Sequence, residues 1–191
     1  METLVQKRQK KLTWAEFREM DIQEGDTSIY ELINGEIVKR ASPNTPHQSA
    51  SVNLTLLFGI FIKKKKLGKL FHAPYDVYLD EHNAGIQPDL LFVSKERDFI
   101  IVEGNGIVGT PDLVVEIVSK GSVVNDRVTK KDLYQRFAVK EYWIVDVRSK
   151  TIEVYVMEND TYKLYSFAEE EGNIKSAVLT GFKLNVKDVF D

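Results

Sequence analysis

The sequence predicts an α/β domain in which a mixed sheet is flanked by helices, and three observations favour this fold class. Residues 87–93 and 111–119 are short apolar runs of the length expected for buried strands. Residues 48–66 place apolar side chains at the spacing of one helix face. Three more strand-like runs, separated by turn residues, follow residue 140. Helices interleaved with strands in this way indicate an α/β architecture.

The amino-terminal part of the chain predicts a short helix followed by a hairpin. Thr13 and Glu16 form a T-x-x-E capping box, so we expect a helix from this point to about Met20. Within residues 30–40, two strand-like runs flank the dipeptide Asn34-Gly35, which suits the tight turn of a β-hairpin.

The middle of the chain predicts a loop, a long helix and three strands. Residues 42–48 contain two prolines and several turn-forming residues, which indicates a loop. The helix over about residues 48–66 has one apolar face, made of Ala50, Leu54, Leu57, Phe58 and Phe61. The strands are predicted over residues 69–80, 87–93 and 111–119.

The last third of the chain predicts one more helix and three more strands. Residues 123–138 have a helical pattern, with apolar positions at Val124, Val128, Leu133 and Phe137. The strands are predicted over residues 141–147, 151–158 and 161–168. We interpret residues 155–191 as antiparallel additions to the same domain rather than as a second domain.

Two acidic residues lie in runs that otherwise have the character of buried strands. Asp89 stands at the start of the first run, and Glu116 lies between Val115 and Ile117 in the second. A buried carboxylate is costly unless it is paired or binds a metal. Asp112 shares a strand face with Glu116 but lies about 13 Å away at about 3.3 Å per residue. Neighbouring strands are only about 4.8 Å apart, so we expect Asp89 to meet Glu116.

This pair of acids predicts a site for a hard, oxygen-seeking cation such as Mg²⁺. Asp89 and Glu116 are therefore the candidate metal ligands, and Asp112 is interpreted as a turn residue or a residue at the entry to the strand. The pattern makes the chain a candidate metal-dependent hydrolase.

Three polar residues follow Glu116 along one helix stripe. Asp126, Lys130 and Tyr134 are spaced at i, i+4 and i+8, which places them on the same side of the predicted helix. One interpretation is a surface salt bridge between Asp126 and Lys130, worth a few tenths of a kcal/mol. The other is that Lys130 orients the nucleophile or offsets charge that develops on a phosphate group.

His47 and Glu31 are further candidates for supporting roles. His47 follows Pro46 at the start of the long helix, where it could face a carboxylate or an anion, or could simply be a surface residue. Glu31 lies in a strand-like run between apolar residues, so it is either a third acid near the metal or a solvated residue of an edge strand.

The ordered set of segments resembles a known family. The segments YELINGEIV, SPNTPHQ, QPDLLFV, GTPDLVVEIVS, DRVTKKDLY and EYWIVD are similar to the family labelled putative restriction endonucleases, within the PD-(D/E)xK nuclease superfamily. The resemblance runs from about Leu12 to about Tyr155. It implies a restriction-endonuclease-like core, Mg²⁺-dependent phosphodiester hydrolysis, and metal ligands at Asp89 and Glu116.

One position departs from the superfamily pattern. The superfamily places a Lys two residues after the second acid, where this chain has Val118. The resembling family also lacks that Lys and carries one on the following helix, which corresponds to Lys130. The resemblance includes a His at the position of His47, which supports a role for this residue in the site.

Length, composition and charge set limits on the class of protein. With 191 residues, of which 43% are hydrophobic, the chain suits a single domain over residues 13–191, preceded by a basic, flexible segment over residues 1–12. The absence of Cys excludes disulfides, thiolate metal sites and Cys nucleophiles. The longest apolar run, residues 56–62, is too short to span a bilayer. We therefore expect a cytoplasmic protein without a membrane partner.

The lysine-rich segments 7–11 and 63–69 have two interpretations. They could be local phosphate-binding surfaces, although the net charge of −3 argues against a general coat for nucleic acid. The alternative is a tail for the first segment and a helix end for the second, because cations complement a helix carboxyl terminus.

We predict an endonuclease that uses Mg²⁺ or Mn²⁺ and cleaves DNA, with Asp89, Glu116 and Lys130 as catalytic residues. His47, Glu31, Asp126 and Tyr134 are the predicted supporting residues. A homodimer is a candidate assembly, since nucleases that cut both strands often pair about a two-fold axis. The alternative is a catalytically inactive nuclease-fold protein that binds nucleic acid or another protein. A glycosidase that uses the acid pair is a weaker third hypothesis.

Overall fold

The computed structural model describes residues 10–20, 28–40, 42–118 and 125–191. Most of the predicted basic segment, together with Val123 and Val124 of the predicted third helix, lies outside these residues. The α-helices are α1 (Trp14–Arg18), α2 (Thr45–Lys65), α3 (Lys131–Arg136) and α4 (Lys187–Phe190). A 3₁₀ helix spans Lys95–Ile100, and a π-helical segment over Asn125–Lys130 leads directly into α3.

The strands follow the order expected for a mixed α and β architecture. They are β1 (Ile29–Ile33), β2 (Glu36–Arg40), β3 (Gly68–His72), β4 (Val77–Tyr78), β5 (Leu90–Ser94), β6 (Ile101–Val102), β7 (Gly106–Val108), β8 (Leu113–Val118), β9 (Glu141–Asp146), β10 (Thr151–Glu158), β11 (Thr161–Glu169), β12 (Asn173–Lys175) and β13 (Lys183–Asn185).

A six-stranded mixed sheet forms the centre of the fold, in the order β11-β10-β9-β8-β5-β3. Strands β8 and β9 are parallel, whereas the other neighbours in this sheet are antiparallel. The helical segment between β8 and β9 supplies the crossover that a parallel pair requires. The predicted fold class, a mixed sheet flanked by helices, is confirmed.

Alternation along β8 separates the two cores of the protein. Leu113, Val115 and Ile117 pack in the core that also contains the inner face of α2 and Trp143. Val114 and Val118 point to the other side, where they pack with Leu133 of α3 and residues of β9. Because side chains alternate along a strand, Glu116 lies in this second core, under α3.

The amino-terminal predictions are confirmed in detail. Thr13 and Glu16 form both hydrogen bonds of the capping box at the start of α1. Strands β1 and β2 pair as an antiparallel hairpin. Asn34 and Gly35 make the turn with φ values of 54° and 75°, the left-handed conformation that this type of turn requires.

The long helix begins earlier than the sequence predicts. Residues 45–48, which we expected in a loop, form the first turn of α2, because the Asn44 side chain accepts a hydrogen bond from the His47 N–H group and caps the helix. The predicted apolar face is confirmed: Ala50, Leu54 and Phe58 are buried, and Leu57 and Phe61 pack against the same core. Lys63, Lys64 and Lys65 lie in the last turn, as the helix-end interpretation requires.

Two element predictions were wrong. The single strand expected over residues 69–80 is divided into β3 and β4, which belong to different sheets, and Pro74 between them has no N–H group for a sheet ladder. In the helical segment after β8, Val128 was expected on the apolar face but is 63% exposed. The π-helical turns there advance by more residues than an α-helix, so spacing based on 3.6 residues per turn misplaces this side chain.

A cleft of about 720 Å³ lies between the β1–β2 hairpin and the first half of α2. Its lining includes Arg40, His47, Asp89, Ile117 and Asp126. Across the described residues, no helix is both long and apolar enough to cross a lipid bilayer.

Candidate active site

The structure brings Asp89 and Glu116 together at the centre of the main sheet. Leu90 pairs with Val115 in the antiparallel β5–β8 ladder, so the preceding residue Asp89 lies beside Glu116. The Asp89 Oδ2 atom accepts a hydrogen bond of 2.7 Å from the Ile117 N–H group, which fixes the acid against β8. Both side chains are buried.

Asp112 lies away from this site, as strand geometry predicts. It is buried at the other end of β8, where its carboxylate pairs with Arg97 at 3.1 Å and Lys140 at 2.7 Å. Its Oδ2 atom also accepts a hydrogen bond from the Ser94 N–H group. Asp112 is therefore a structural acid that anchors the start of the strand.

Lys130 points inward and forms two buried ion pairs. Its Nζ atom lies 2.9 Å from Glu116 Oε1 and 3.0 Å from Glu31 Oε1, and all three side chains are fully buried. Since Asp126 is buried as well, the interpretation of an exposed Asp126–Lys130 salt bridge is wrong. Burial alone would lower the pKa of Lys130, but the Glu116 and Glu31 carboxylates outweigh it and raise this pKa above its ordinary value. The two carboxylates therefore favour the protonated, positively charged form of Lys130.

Tyr134 and Glu31 complete the hydrogen bonds around Glu116 and Lys130. The Tyr134 hydroxyl donates a hydrogen bond of 2.8 Å to Glu116 Oε1, and burial beside that acid raises the pKa of Tyr134 well above its ordinary value. Glu31 Oε1 also accepts a hydrogen bond of 2.8 Å from the Gln87 N–H group. Glu31 is not a solvated edge residue, because the packed second core removes it from water.

His47 lies in the site rather than on the surface. Its Nε2 atom is 3.2 Å from Asp89 Oδ2, and the residue is 7% exposed. The helix start at Asn44 explains this position, because the first turn of α2 places the imidazole at the start of β5, beside Asp89. His47 can therefore orient Asp89.

Asp126 borders the same site from the π-helical segment. Its side chain is buried at the wall of the cleft. Its backbone carbonyl accepts a hydrogen bond of 2.9 Å from the Tyr142 hydroxyl, which holds the segment against β9. The negative charge of Asp126 is one cause of the raised pKa of Glu116 described below.

Arg40, at the end of β2, is a site residue that the sequence did not reveal. Its Nη2 atom lies 3.0 Å from Asp89 Oδ1 and 4.0 Å from Glu116 Oε2, and its guanidinium also donates to the Gln87 carbonyl. The only available signal was the alternation along β2, which places Arg40 on the same face as the half-buried Val38. A terminal arginine in a hairpin is too common for that pattern to single it out.

The pKa values of the two central acids are shifted in opposite directions. Burial raises the pKa of Glu116, with Asp126 and Asp89 adding to the effect and Lys130 opposing it. Burial also opposes ionisation of Asp89, but the His47 hydrogen bond and the Arg40 charge outweigh it and lower the pKa of Asp89 to about 2. A cation placed between these groups would therefore be held by Asp89 at any ordinary pH and would favour ionised Glu116.

The donor atoms fit a divalent cation held by two carboxylates. Glu116 Oε2 is buried and has no hydrogen-bond partner among the described residues, so one ligand atom is uncommitted. Among the described residues, no group of three or more His, Asp or Glu side chains is arranged to hold a metal ion. Mg²⁺ commonly uses one or two carboxylates and retains several waters. Asp89 and Glu116 suffice for that mode of binding.

The mixed sheet, with acids on two adjacent central strands and a cleft above them, defines a nuclease-like fold. A crystal structure of "a putative nuclease belonging to DUF820" from Anabaena variabilis ATCC 29413 has the same fold, with a TM-score of 0.74 and 19% sequence identity. The match covers 94% of this chain and 97% of that chain.

Sequence similarity identifies the family. The chain belongs to the family described as "Putative restriction endonuclease", which matches residues 14–187. This range contains all of the acidic, basic and aromatic residues that form the site. No curated protein matches the chain.

Proposed function

We propose that the protein is a divalent-metal-dependent endonuclease that hydrolyses phosphodiester bonds of DNA. The observation that carries this proposal is the cluster beneath the cleft, where Glu116 accepts hydrogen bonds from Lys130 and Tyr134 and lies beside Asp89. Burial of several charges in one place is costly, so such a cluster is more typical of a functional site than of a stability element.

Asp89 and Glu116 are the proposed metal ligands, with Mg²⁺ or Mn²⁺ as the ion. When bound, such an ion lowers the pKa of a water and offsets charge on a phosphate. His47 keeps Asp89 oriented through the contact between Nε2 and Oδ2. The Tyr134 hydroxyl donates a hydrogen bond to Oε1, the inner oxygen of Glu116. The outer oxygen, Oε2, is left for the ion.

Lys130 acts as a charged group and not as a proton acceptor in this proposal. Its raised pKa keeps the ammonium protonated, so it has no lone pair with which to activate water. Because it is fully buried behind Glu116, it orients that carboxylate and balances its charge. Glu31 holds the other side of the ammonium. Lys130 thus supplies from a helix the positive charge that the superfamily pattern places at the position of Val118.

The proposed substrate rests on the family and on the cleft. The family description names restriction endonucleases, and Asp89 lines an open cleft, with Glu116 buried beside it. Lys39 and Arg40 line that cleft and supply positive charge to a phosphate backbone. We further propose that the protein is a homodimer, that it is cytoplasmic, and that residues 13–191 form a single domain.

Plasmid nicking tests the proposed activity. The purified protein should nick supercoiled DNA in the presence of Mg²⁺ or Mn²⁺, and Asp89→Asn and Glu116→Gln should abolish nicking. Asp112→Asn is a matched control, because Asp112 is another buried acid of the same strand region that lies outside the site. Nicking that persists unchanged in the Asp89 and Glu116 variants would assign the activity to a contaminant.

A second candidate function is a nuclease-fold protein without catalytic activity that binds nucleic acid or a protein. The observation in its favour is Arg40, whose guanidinium already neutralises Asp89 and contacts Glu116. Calorimetric titration with Mn²⁺ separates the two functions. Heat of binding that is lost in Asp89→Asn and Glu116→Gln favours the nuclease, whereas the absence of any binding favours the inactive module.

A further inference from the structure

We propose that Arg40 is an internal competitor of the divalent cation: its guanidinium lies in the ion's place between Asp89 and Glu116 and has to leave it when an ion binds. This inference rests on the proposed function, because it requires that the two carboxylates form an ion site. It adds a residue from the β1–β2 hairpin that controls whether the site is open.

The position of the guanidinium carries the argument. Arg40 Nη2 lies 3.0 Å from Asp89 Oδ1 and 4.0 Å from Glu116 Oε2, the atoms that an ion would bridge. An ion such as Mg²⁺ sits about 2.0–2.1 Å from its oxygen ligands. An ion bound to both oxygens would therefore lie within a few ångströms of this nitrogen, and the two positive charges would repel each other.

The charges around Arg40 explain why a cation is needed there when no metal is bound. Glu31 Oε1 lies 3.9 Å from Arg40 Nη1, so the guanidinium faces three acids. Within the described part of the chain, the ion pairs of Lys130 are to the inner oxygen of Glu116, Oε1, and to the Oε1 atom of Glu31. Without Arg40, Asp89 and the outer oxygen of Glu116 would lose a positive neighbour, and uncompensated buried charge is strongly destabilising.

Arg40 lies at the cleft, so its side chain has space to move away from the acids. Its side chain is 17% exposed and lines the cleft, whereas Glu116 behind it is fully buried. Rotation of the guanidinium into the cleft would expose the outer oxygen of Glu116 without movement of β8. The free energy needed to break the Arg40 contacts reduces the net free energy of ion binding. The wild-type protein therefore binds the ion weakly.

Calorimetric titration of the DNA-free protein with Mn²⁺ tests the proposal. Arg40→Gln removes the competing charge and should bind Mn²⁺ at least about tenfold more tightly than wild type. Arg97→Gln is the matched control, because Arg97 also pairs with a buried acid, Asp112 at 3.1 Å, but lies outside the site. Its Mn²⁺ affinity should equal that of wild type.

The outcomes separate this inference from the proposed function. Equal or weaker binding by Arg40→Gln, while wild type binds Mn²⁺ through Asp89 and Glu116, would overturn the competitor role and leave the nuclease proposal intact. If neither protein binds Mn²⁺, the ion site itself is absent and both proposals fail.

A second measurement uses wild-type protein and does not depend on the stability of a variant. In protein labelled with ¹⁵N-arginine, the Arg40 Nη signals should show slow rotation of the guanidinium in the absence of Mg²⁺, because the group is held by Asp89 and the Gln87 carbonyl. Saturating Mg²⁺ should convert them to the averaged signals of a released side chain. Unchanged signals at saturating Mg²⁺ would overturn the proposal.

Discussion

Lys130 and Glu116 form a fully buried ion pair in which the ammonium nitrogen lies 2.9 Å from Glu116 Oε1. The two residues come from the helical crossover and from the central strand β8, so the pair ties the crossover to the sheet. Removal of one partner leaves the other as an uncompensated charge in the core. Stability and the state of the proposed ion site are therefore linked through these two side chains.

Replacement of the ammonium should be much more costly here than at the protein surface. Lys130→Met should lower the free energy of unfolding by about 3–5 kcal/mol, because Glu116 and Glu31 would lose their buried partner. Lys140→Met is the matched control: Lys140 also pairs with a buried acid, but it is 58% exposed, and such pairs contribute about 0–1 kcal/mol. Urea unfolding measures both, and equal losses would contradict the buried pair.

Loss of one hydroxyl should distinguish the site from the surrounding core. Tyr134→Phe keeps the packed ring but removes the hydrogen bond of 2.8 Å to Glu116, with an expected loss of about 1–3 kcal/mol. Tyr162→Phe is the control, since its hydroxyl donates to the Val139 carbonyl outside the site. Both variants should lose stability in urea, but only Tyr134→Phe should change the affinity for Mn²⁺. A change in both affinities would argue against a specific role for Tyr134.

The contact between His47 and Asp89 predicts an effect on ion binding. His47→Ala should weaken Mn²⁺ binding by about 10–100-fold, because groups that orient a ligand commonly contribute that much. His72→Ala is the control, since His72 also lines the cleft. Among the described residues, its ring is hydrogen-bonded to the Ala73 carbonyl and not to Asp89. Calorimetry on folded samples of both variants provides the test. An unchanged affinity in His47→Ala would exclude the orienting role.

Asp112 predicts how stability depends on pH. Burial opposes its ionisation, but Lys140, the Ser94 N–H group and Arg97 outweigh burial and lower the pKa of Asp112 below its ordinary value of 3.8. A lowered acid pKa stabilises the folded state above the unfolded pKa, and this contribution is lost as the pH falls through the folded value. Asp112→Asn should thus cost about 1.5–3 kcal/mol near pH 7.

The cost of Asp112→Asn should shrink as the pH falls below the ordinary pKa of 3.8, because the wild-type carboxylate then binds a proton and loses the same interactions. Urea unfolding of wild type and variant near pH 7 and at acidic pH gives the difference. A cost that stays constant between the two would show that the contribution of Asp112 comes from packing rather than from charge.

Much of the fold was predictable because its signals are local. The capping box of Thr13 and Glu16 and the turn at Asn34-Gly35 depend on neighbouring residues, and both are confirmed. The meeting of Asp89 with Glu116 was predictable as well, because two adjacent strands have a fixed spacing. The start of α2 was missed, since the capping role of Asn44 was hidden among prolines and turn formers.

Contacts between distant parts of the chain were harder to predict. Glu31 is separated by 99 residues from Lys130, and Arg40 by 49 from Asp89, and no spacing rule joins such positions. Lys130 was selected through the family resemblance, because helical spacing alone allowed a surface salt bridge equally well. The π-helical turns before α3 also disturb the regular spacing on which that prediction relied.

The amino-acid sequence alone determined the class of fold and identified the two acids. Both depend on short stretches of the chain: the periodicity of apolar residues, and the free-energy cost of burying a carboxylate in a strand. Only the folded arrangement decided which cation each acid faces. Electrostatic energy depends on distance and on exclusion of water, and both arise when β2, α2 and the crossover helix pack around β8.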